Sequence, residues 1–129
     1  MAYAGSTKYR AKPTYSSDGI LHPSKREAQR WDELRILAEA GEIHNLERQV
    51  KYTLIPAQYE AYERYGKRGQ RLKDGRRMLE RAITYTADFK YQDASGKIVV
   101  EDAKGMRVRD FPLRRKLMLW VYGIRVREV

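Results

Sequence analysis

The stretch Ala82–Lys104, AITYTADFKYQDASGKIVVEDAK, decides how the chain folds. From Ala82 to Tyr91, residues Ile83, Tyr85, Ala87, Phe89 and Tyr91 alternate with Thr84, Thr86, Asp88 and Lys90, the period-two pattern of a strand with one apolar face. Asp93-Ala94-Ser95-Gly96 supplies a turn, because Asp and Ser bond back to nearby backbone and Gly accepts positive φ. Alternation resumes from Lys97, with Ile98, Val100, Asp102 and Lys104 on one face and Val99, Glu101 and Ala103 on the other. The segment is expected to be a β-hairpin.

The positions of its acids suggest chemistry. Asp102 and Lys104 lie two apart and project from one strand face, behind the apolar Ile98 and Val100. Asp88, on the neighbouring strand, can reach the same edge. Two carboxylates converging there would make a hard-oxygen pocket of the kind that takes Mg²⁺. A lysine beside them could steady a water or stabilise charge on a phosphate. A hairpin that ends in one salt bridge fits the same residues, and the hairpin alone does not separate the two.

Bulk composition narrows the classes. A chain of 129 residues, 42% hydrophobic and 34% charged, is sized and composed for one globular domain with a real core. The net charge of +10 points to a polyanionic partner, with nucleic acid as the default. The absence of cysteine excludes disulfides, a thiolate zinc site and a thiol nucleophile. His22 and His44, the chain's two histidines, have no partner at ligand spacing, which argues against zinc. No apolar run approaches the roughly 20 residues of a membrane span. The opening MAYAGSTKYRAKPTYSS lacks the apolar centre of a signal peptide, so a cytoplasmic protein is expected.

Residues 1–17, rich in Lys, Arg, Tyr, Ser and Pro, read as a flexible basic arm that could follow a phosphate backbone or simply be loose. Residues 18–129 form the domain. Asp18-Gly19 marks a turn and Ile20-Leu21 a short extended piece. A helix follows: Ser24 suits the N-cap, Glu27 the capping-box position and Gly41 the C-terminal stop, with Ala28, Trp31, Leu34, Leu37 and Ala38 as its apolar stripe. Glu27 carries two readings. It can fold back on the backbone at Ser24, or, lying four before Trp31, it can continue the buried stripe and join Asp88 and Asp102. Leu46, Arg48, Val50, Tyr52 and Leu54 then alternate as a strand within residues 42–56.

Residues 57–81 place Tyr59, Tyr62 and Tyr65 before a run that includes Arg64, Lys67, Arg68, Arg71, Lys73, Arg76, Arg77 and Arg81. Gly66, Gly69 and Gly75 interrupt it, so a bent or mobile excursion is expected rather than a long helix. Basic side chains among aromatics suit nucleic acid, and a solvated charged loop has the same composition. Beyond the hairpin, Gly105–Arg109 is a basic connector. Asp110 is placed to cap a second helix with Pro112 in its first turn, and Leu113, Leu117, Trp120 and Val121 as its apolar face. Gly123 ends that helix and residues 124–129 alternate as a last strand. The order α-β-β-β-α-β requires a helix on each side of a mixed sheet, an α/β sandwich.

A helix Glu27, then Asp88, then Asp102-Ala103-Lys104, in that order of elements, resembles the PD-(D/E)XK nuclease superfamily and its restriction-endonuclease-like core. The phrases SKREAQRW, YTADFKY, VVEDAKGMR and RDFPLRRKLMLWVYGI are similar to a family of short phage-encoded endonucleases. In size and layout the nearest relatives within the superfamily are the archaeal-type Holliday junction resolvases. The likeness covers residues 18–129. Two departures stand out: Ala87 replaces the proline that often precedes the first Asp, and the second acid is Asp102, with Glu101 beside it. Regular alternation turns Glu101 to the opposite face and favours Asp102; a bulge would reverse the choice.

The resemblance implies a metal-dependent endonuclease that nicks four-way DNA junctions in pairs during recombination. Asp88, Asp102, Glu27 and the backbone carbonyl of Ala103 would hold Mg²⁺, with Mn²⁺ as a substitute, and Lys104 would orient water or neutralise phosphate. A less selective phage endonuclease acting on branched or linear DNA, and a non-catalytic DNA-binding protein on the same fold, are the alternatives. No helix-turn-helix or zinc-finger spacing supports a sequence-reading regulator. DNA contacts are expected from Lys25, Arg68, Arg71, Arg76, Arg77, Arg107, Arg109, Arg114 and Arg115. Resolvases are two-fold symmetric, so a homodimer is expected, without membrane or small-molecule substrate.

Overall fold

A computed structural model describes residues 12–103 and 110–129. Lys104, Arg107, Arg109 and most of the basic arm lie outside them.

The chain folds as β1 (Thr14–Tyr15), β2 (Leu21–His22), α1 (Lys25–Glu39), β3 (His44–Ile55), β4 (Gln58–Tyr65), β5 (Arg71–Glu80), β6 (Ile83–Gln92), β7 (Ile98–Asp102), α2 (Phe111–Tyr122) and β8 (Arg127–Glu128). A mixed four-stranded sheet runs β3-β6-β7-β8. Its first pairings are antiparallel, while β7 and β8 are parallel, as the return through α2 requires. The expected hairpin is β6–β7. Its turn closes because Asp93 Oδ1 accepts from the amides of Ser95 at 2.9 Å and Lys97 at 3.0 Å, while Gly96 takes φ 85°.

Two cores flank the sheet. Trp31 and Leu34 of α1 pack with Ile43, Phe89, Tyr91, Val99 and Ala103. Phe111 and Met118 of α2 pack with Leu54, Tyr85, Ala87, Val100 and Val126. Neighbours Val99 and Val100 thus serve opposite sides of β7. The apolar residues of β6, expected on one face, divide between the two cores. The division falls at Asp88, where Ala87, Asp88 and Phe89 are buried in succession. Opposite it, in the interior of β3, Gln49 takes φ 55°.

Helix α1 begins and ends as its sequence requires. The Ser24 side chain accepts from the Glu27 amide, and Gly41 takes φ 78° just past the end. Helix α2 differs from expectation. It buries Phe111 and Met118, whereas Leu113, Trp120 and Val121 are exposed, Trp120 by 85%. Apolar side chains occupy most of its circumference, so periodicity could not select the face that meets the sheet. Asp110 precedes this helix without a side-chain cap bond and pairs instead with Arg114.

The excursion at 57–81 is an ordered antiparallel ribbon, β4–β5, leaving the sheet where Ile55 and Ile83 face each other. All of β4 is exposed, so the ribbon lacks the apolar side that would have marked its strands. Gly75, read from sequence as an interruption, receives the Tyr62 ring; a Cβ there would lie 2.4 Å from Tyr62 Cζ.

Within the stretch read as a basic arm, Thr14–Tyr15 forms β1 and pairs with β2. This small hairpin is fixed to α1 through Asp18, which accepts from Ser16 Oγ and, at 3.0 Å, from Trp31 Nε1. Hydrogen bonds from Ser16 and Trp31 lower the Asp18 carboxyl from 3.8 to about 2. A depressed carboxyl stabilises the fold above its unfolded value, and the benefit is lost as pH falls from about 4 towards 2. Asp18→Asn is therefore expected to lower the urea midpoint at pH 7 and to converge on wild type near pH 2. A deficit independent of pH would contradict this.

Candidate active site

Glu27 enters the molecule on the first turn of α1. The Ser24 cap is satisfied by the Glu27 backbone amide at 3.1 Å, which leaves the carboxylate to point inward. It is 3% exposed. Its Oε2 accepts from Gln49 Nε2 at 3.0 Å and lies 3.6 Å from His22 Nδ1. His22 is fully buried, with Nε2 3.0 Å from Ser16 Oγ. Burial, followed by the nearby Arg48, lowers its pKa and favours the neutral ring.

Asp88, also 3% exposed, sits where β6 and β7 part. Their ladder runs in unbroken register from Gln92↔Ile98 to Phe89↔Glu101. One step further, the Ala103 amide donates not to a strand carbonyl but to Asp88 Oδ2 at 2.7 Å. The carboxylate thus takes the place of the next rung, at the end of the β6–β7 ladder. Asp88 Oδ1 lies 3.5 Å from the same Gln49 nitrogen.

Asp102 is fully buried at the end of β7. Its Oδ2 accepts from Tyr85 OH at 2.9 Å, and its backbone carbonyl accepts from Val129 at 3.1 Å. Burial and then Asp102 itself push the Tyr85 phenol well above its ordinary value, so it remains a donor.

Glu101 faces the other way. With no bulge in the β6–β7 register, it meets Arg30 Nε and Nη2, each at 2.8 Å, and Tyr91 OH beneath α1. Burial and the bond to Glu101 push the Tyr91 phenol up to about 12. The structure therefore brings Glu27 and Asp88 together through Gln49, sets Asp102 next to the amide that Asp88 holds, and turns Glu101 away. Gln49, Tyr85 and His22 had no functional signal in the sequence. Gln49 and Tyr85 sat in ordinary strand alternation, and His22 lacked ligand spacing.

The proposed DNA-contacting residues fall into separate regions. Lys25 is exposed at the start of α1, next to the site. Arg68 lies in the ribbon turn. Arg71, Arg76 and Arg77 lie over Tyr65, Tyr59 and Tyr62, at 5.9, 4.1 and 4.9 Å from the ring centres. Arg71 and Arg77 also pair with Asp74 and Glu60, each at 2.9 Å. Among the described residues Arg76 has no acidic partner. Arg114 is engaged locally, its Nε on the Thr84 carbonyl at 2.9 Å, and Arg115 is half-buried on α2.

Three buried carboxylates and a backbone carbonyl are hard oxygen donors, the chemistry that suits Mg²⁺ or Mn²⁺. As they stand, no three His, Cys, Asp or Glu side chains among the described residues are gathered closely enough to hold an ion. The Gln49 amide stands between two of the donors.

Fold and site define a small α/β protein: a mixed sheet, two helices and buried acids at the end of the β6–β7 ladder. The chain belongs to the family described as a protein of unknown function (DUF1064), which matches residues 6–127. No curated protein and no solved structure gives a match. Among the described residues no helix is long and apolar enough to cross a membrane.

Proposed function

We propose that this protein is a metal-dependent DNA endonuclease on a restriction-endonuclease-like core, acting on four-way junctions. The observation that carries the reading is that Gln49 links the buried Glu27 and Asp88, while Asp88 holds the amide that follows the buried Asp102 at the end of the β6–β7 ladder. Burying acids costs folding free energy, and buried acids of this kind are frequent at functional sites. Glu27, Asp88, Asp102 and the Ala103 carbonyl would hold the cation. A bound Mg²⁺ would supply an activated water and offset charge on the phosphate. Tyr85 orients Asp102 through its hydroxyl, and the Ala103 amide orients Asp88. Lys104, next in sequence, would orient water or neutralise phosphate.

The net charge of +10 supports a DNA partner. So does the ribbon, exposed along β4 and carrying its stacked Arg–Tyr pairs away from the sheet. The ribbon also favours a second reading, a DNA-binding protein without catalysis. Labelled four-way junction and matching linear duplex, each with Mg²⁺, separate the readings. Paired symmetric nicks in the junction alone are expected. Cutting of both substrates would favour a broader endonuclease, and binding without cutting in Mg²⁺ or Mn²⁺ would favour the non-catalytic reading.

Paired nicks require two active sites, hence a homodimer. The outer face of α2, with Leu113 and Trp120 exposed, supports one, because large apolar side chains grouped on a surface mark interaction sites. Trp120→Arg is expected to convert a dimer to a monomer in light scattering. A dimer that survives the change would place the interface elsewhere.

A further inference from the structure

Gln49 is the least expected member of the site. It lies in the interior of β3, opposite Asp88 and between the regular pairs Arg48↔Phe89 and Val50↔Ala87. Its φ of 55° is the left-handed conformation, which a residue with a Cβ avoids in a strand and which tends to persist where function holds it. The residue is exposed, yet its carboxamide nitrogen reaches inward, 3.0 Å from Glu27 Oε2 and 3.5 Å from Asp88 Oδ1. Both acids it spans are almost wholly buried. A side chain with an exposed body and an inward tip thus closes the solvent side of two like charges that are otherwise screened only within the protein.

We propose that Gln49 is a positioning residue that acts as a gate. Its amide N–H groups take the place of a cation between Glu27 and Asp88, and the carboxamide must swing out when a divalent ion settles there. This rests on the reading of the site as a cation site and adds the element that controls entry. An amide donor can do this because it offers partial positive charge to both carboxylates without a full charge of its own. It holds the pair together in the ion-free protein. A cation displaces it, since the Coulomb attraction of two charges for a divalent ion far exceeds that for an amide. Three rotatable side-chain bonds on an exposed residue leave it a path into solvent.

Removing the gate should tighten ion binding, because the entering cation no longer competes with hydrogen bonds to charged groups; such bonds set a change of roughly tenfold. The test is Mn²⁺ affinity, read by calorimetry and by the paramagnetic resonance of free Mn²⁺ without DNA, for wild type, Gln49→Gly, Gln49→Asn and Asp88→Asn. Glycine takes positive φ freely, and asparagine tolerates it best among residues with a side chain yet is a methylene shorter. Both variants should fold, since neither strains the backbone at this position. The expected result is about tenfold tighter Mn²⁺ binding in both Gln49 variants and none in Asp88→Asn. Wild-type binding that is unchanged or weakened in the Gln49 variants would overturn the gate and leave the cation site standing. No Mn²⁺ binding by wild type or by either Gln49 variant would overturn both. Binding by the Gln49 variants alone would support the gate most directly.

Discussion

Asp102→Ala is expected to abolish Mg²⁺-dependent nicking of a four-way junction, lowering the rate by roughly 10²–10³-fold or more, the scale for loss of one preorganised electrostatic group. Asp102 is fully buried at the end of β7 and is held by Tyr85. Truncation also strips Tyr85 of its acceptor, and a buried hydroxyl left unsatisfied costs about 1–3 kcal/mol. Alanine therefore confounds stability with chemistry. Asp102→Asn separates them, because its amide oxygen still accepts from Tyr85 while the negative charge is gone. The asparagine variant should melt near wild type and bind junction DNA, yet fail to cut it. Wild-type cutting by Asp102→Asn would remove Asp102 from the reaction. Tyr85→Phe should have the milder outcome, a slower enzyme that still cuts, because it orients a carboxylate rather than supplying one.

The parts of this molecule that were legible in the sequence share a local cause. The β6–β7 hairpin could be read because Asp93, Ser95 and Gly96 encode their turn within a few residues. Helix α1 could be read because Ser24 and Gly41 encode its ends. The burial of Asp102 followed from strand alternation behind Val100, whereas that of Asp88 did not, because alternation put it with Thr84, Thr86 and Lys90. What escaped depended on long-range geometry. Helix α2 carries apolar residues around most of its surface, so only docking decides that Phe111 and Met118 go inward and Trp120 outward. The ribbon has no buried face and so no period that separates it from a loop. The division of β6 between two cores, and the turning of Gln49 towards Glu27, arise only when strands far apart in sequence meet. Glu27 illustrates both halves: its two readings were visible from spacing, and the structure allots the cap to its backbone amide and the site to its carboxylate.

Arg30→Ala carries the second large effect, on stability rather than chemistry. Glu101 is fully buried and receives two bonds of 2.8 Å from the Arg30 guanidinium, which itself stays partly exposed. Deleting the arginine leaves the buried carboxylate with the Tyr91 hydroxyl and the more distant Arg127, 3.9 Å away, so the loss should approach the roughly 3–5 kcal/mol of a broken buried pair. In a chain of this size that corresponds to a fall in melting temperature on the order of 10–20 °C. Removing the stranded charge tests the cause. Adding Glu101→Gln to Arg30→Ala should recover part of the loss at pH 7, since a neutral amide can still accept from Tyr91. Glu101 faces α1, away from Asp88 and Asp102, so Glu101→Gln alone should cut junctions within a few-fold of wild type once folded. If it loses cutting while remaining stable, Glu101 and not Asp102 is the acid of the reaction, and β7 presents its other face to the substrate.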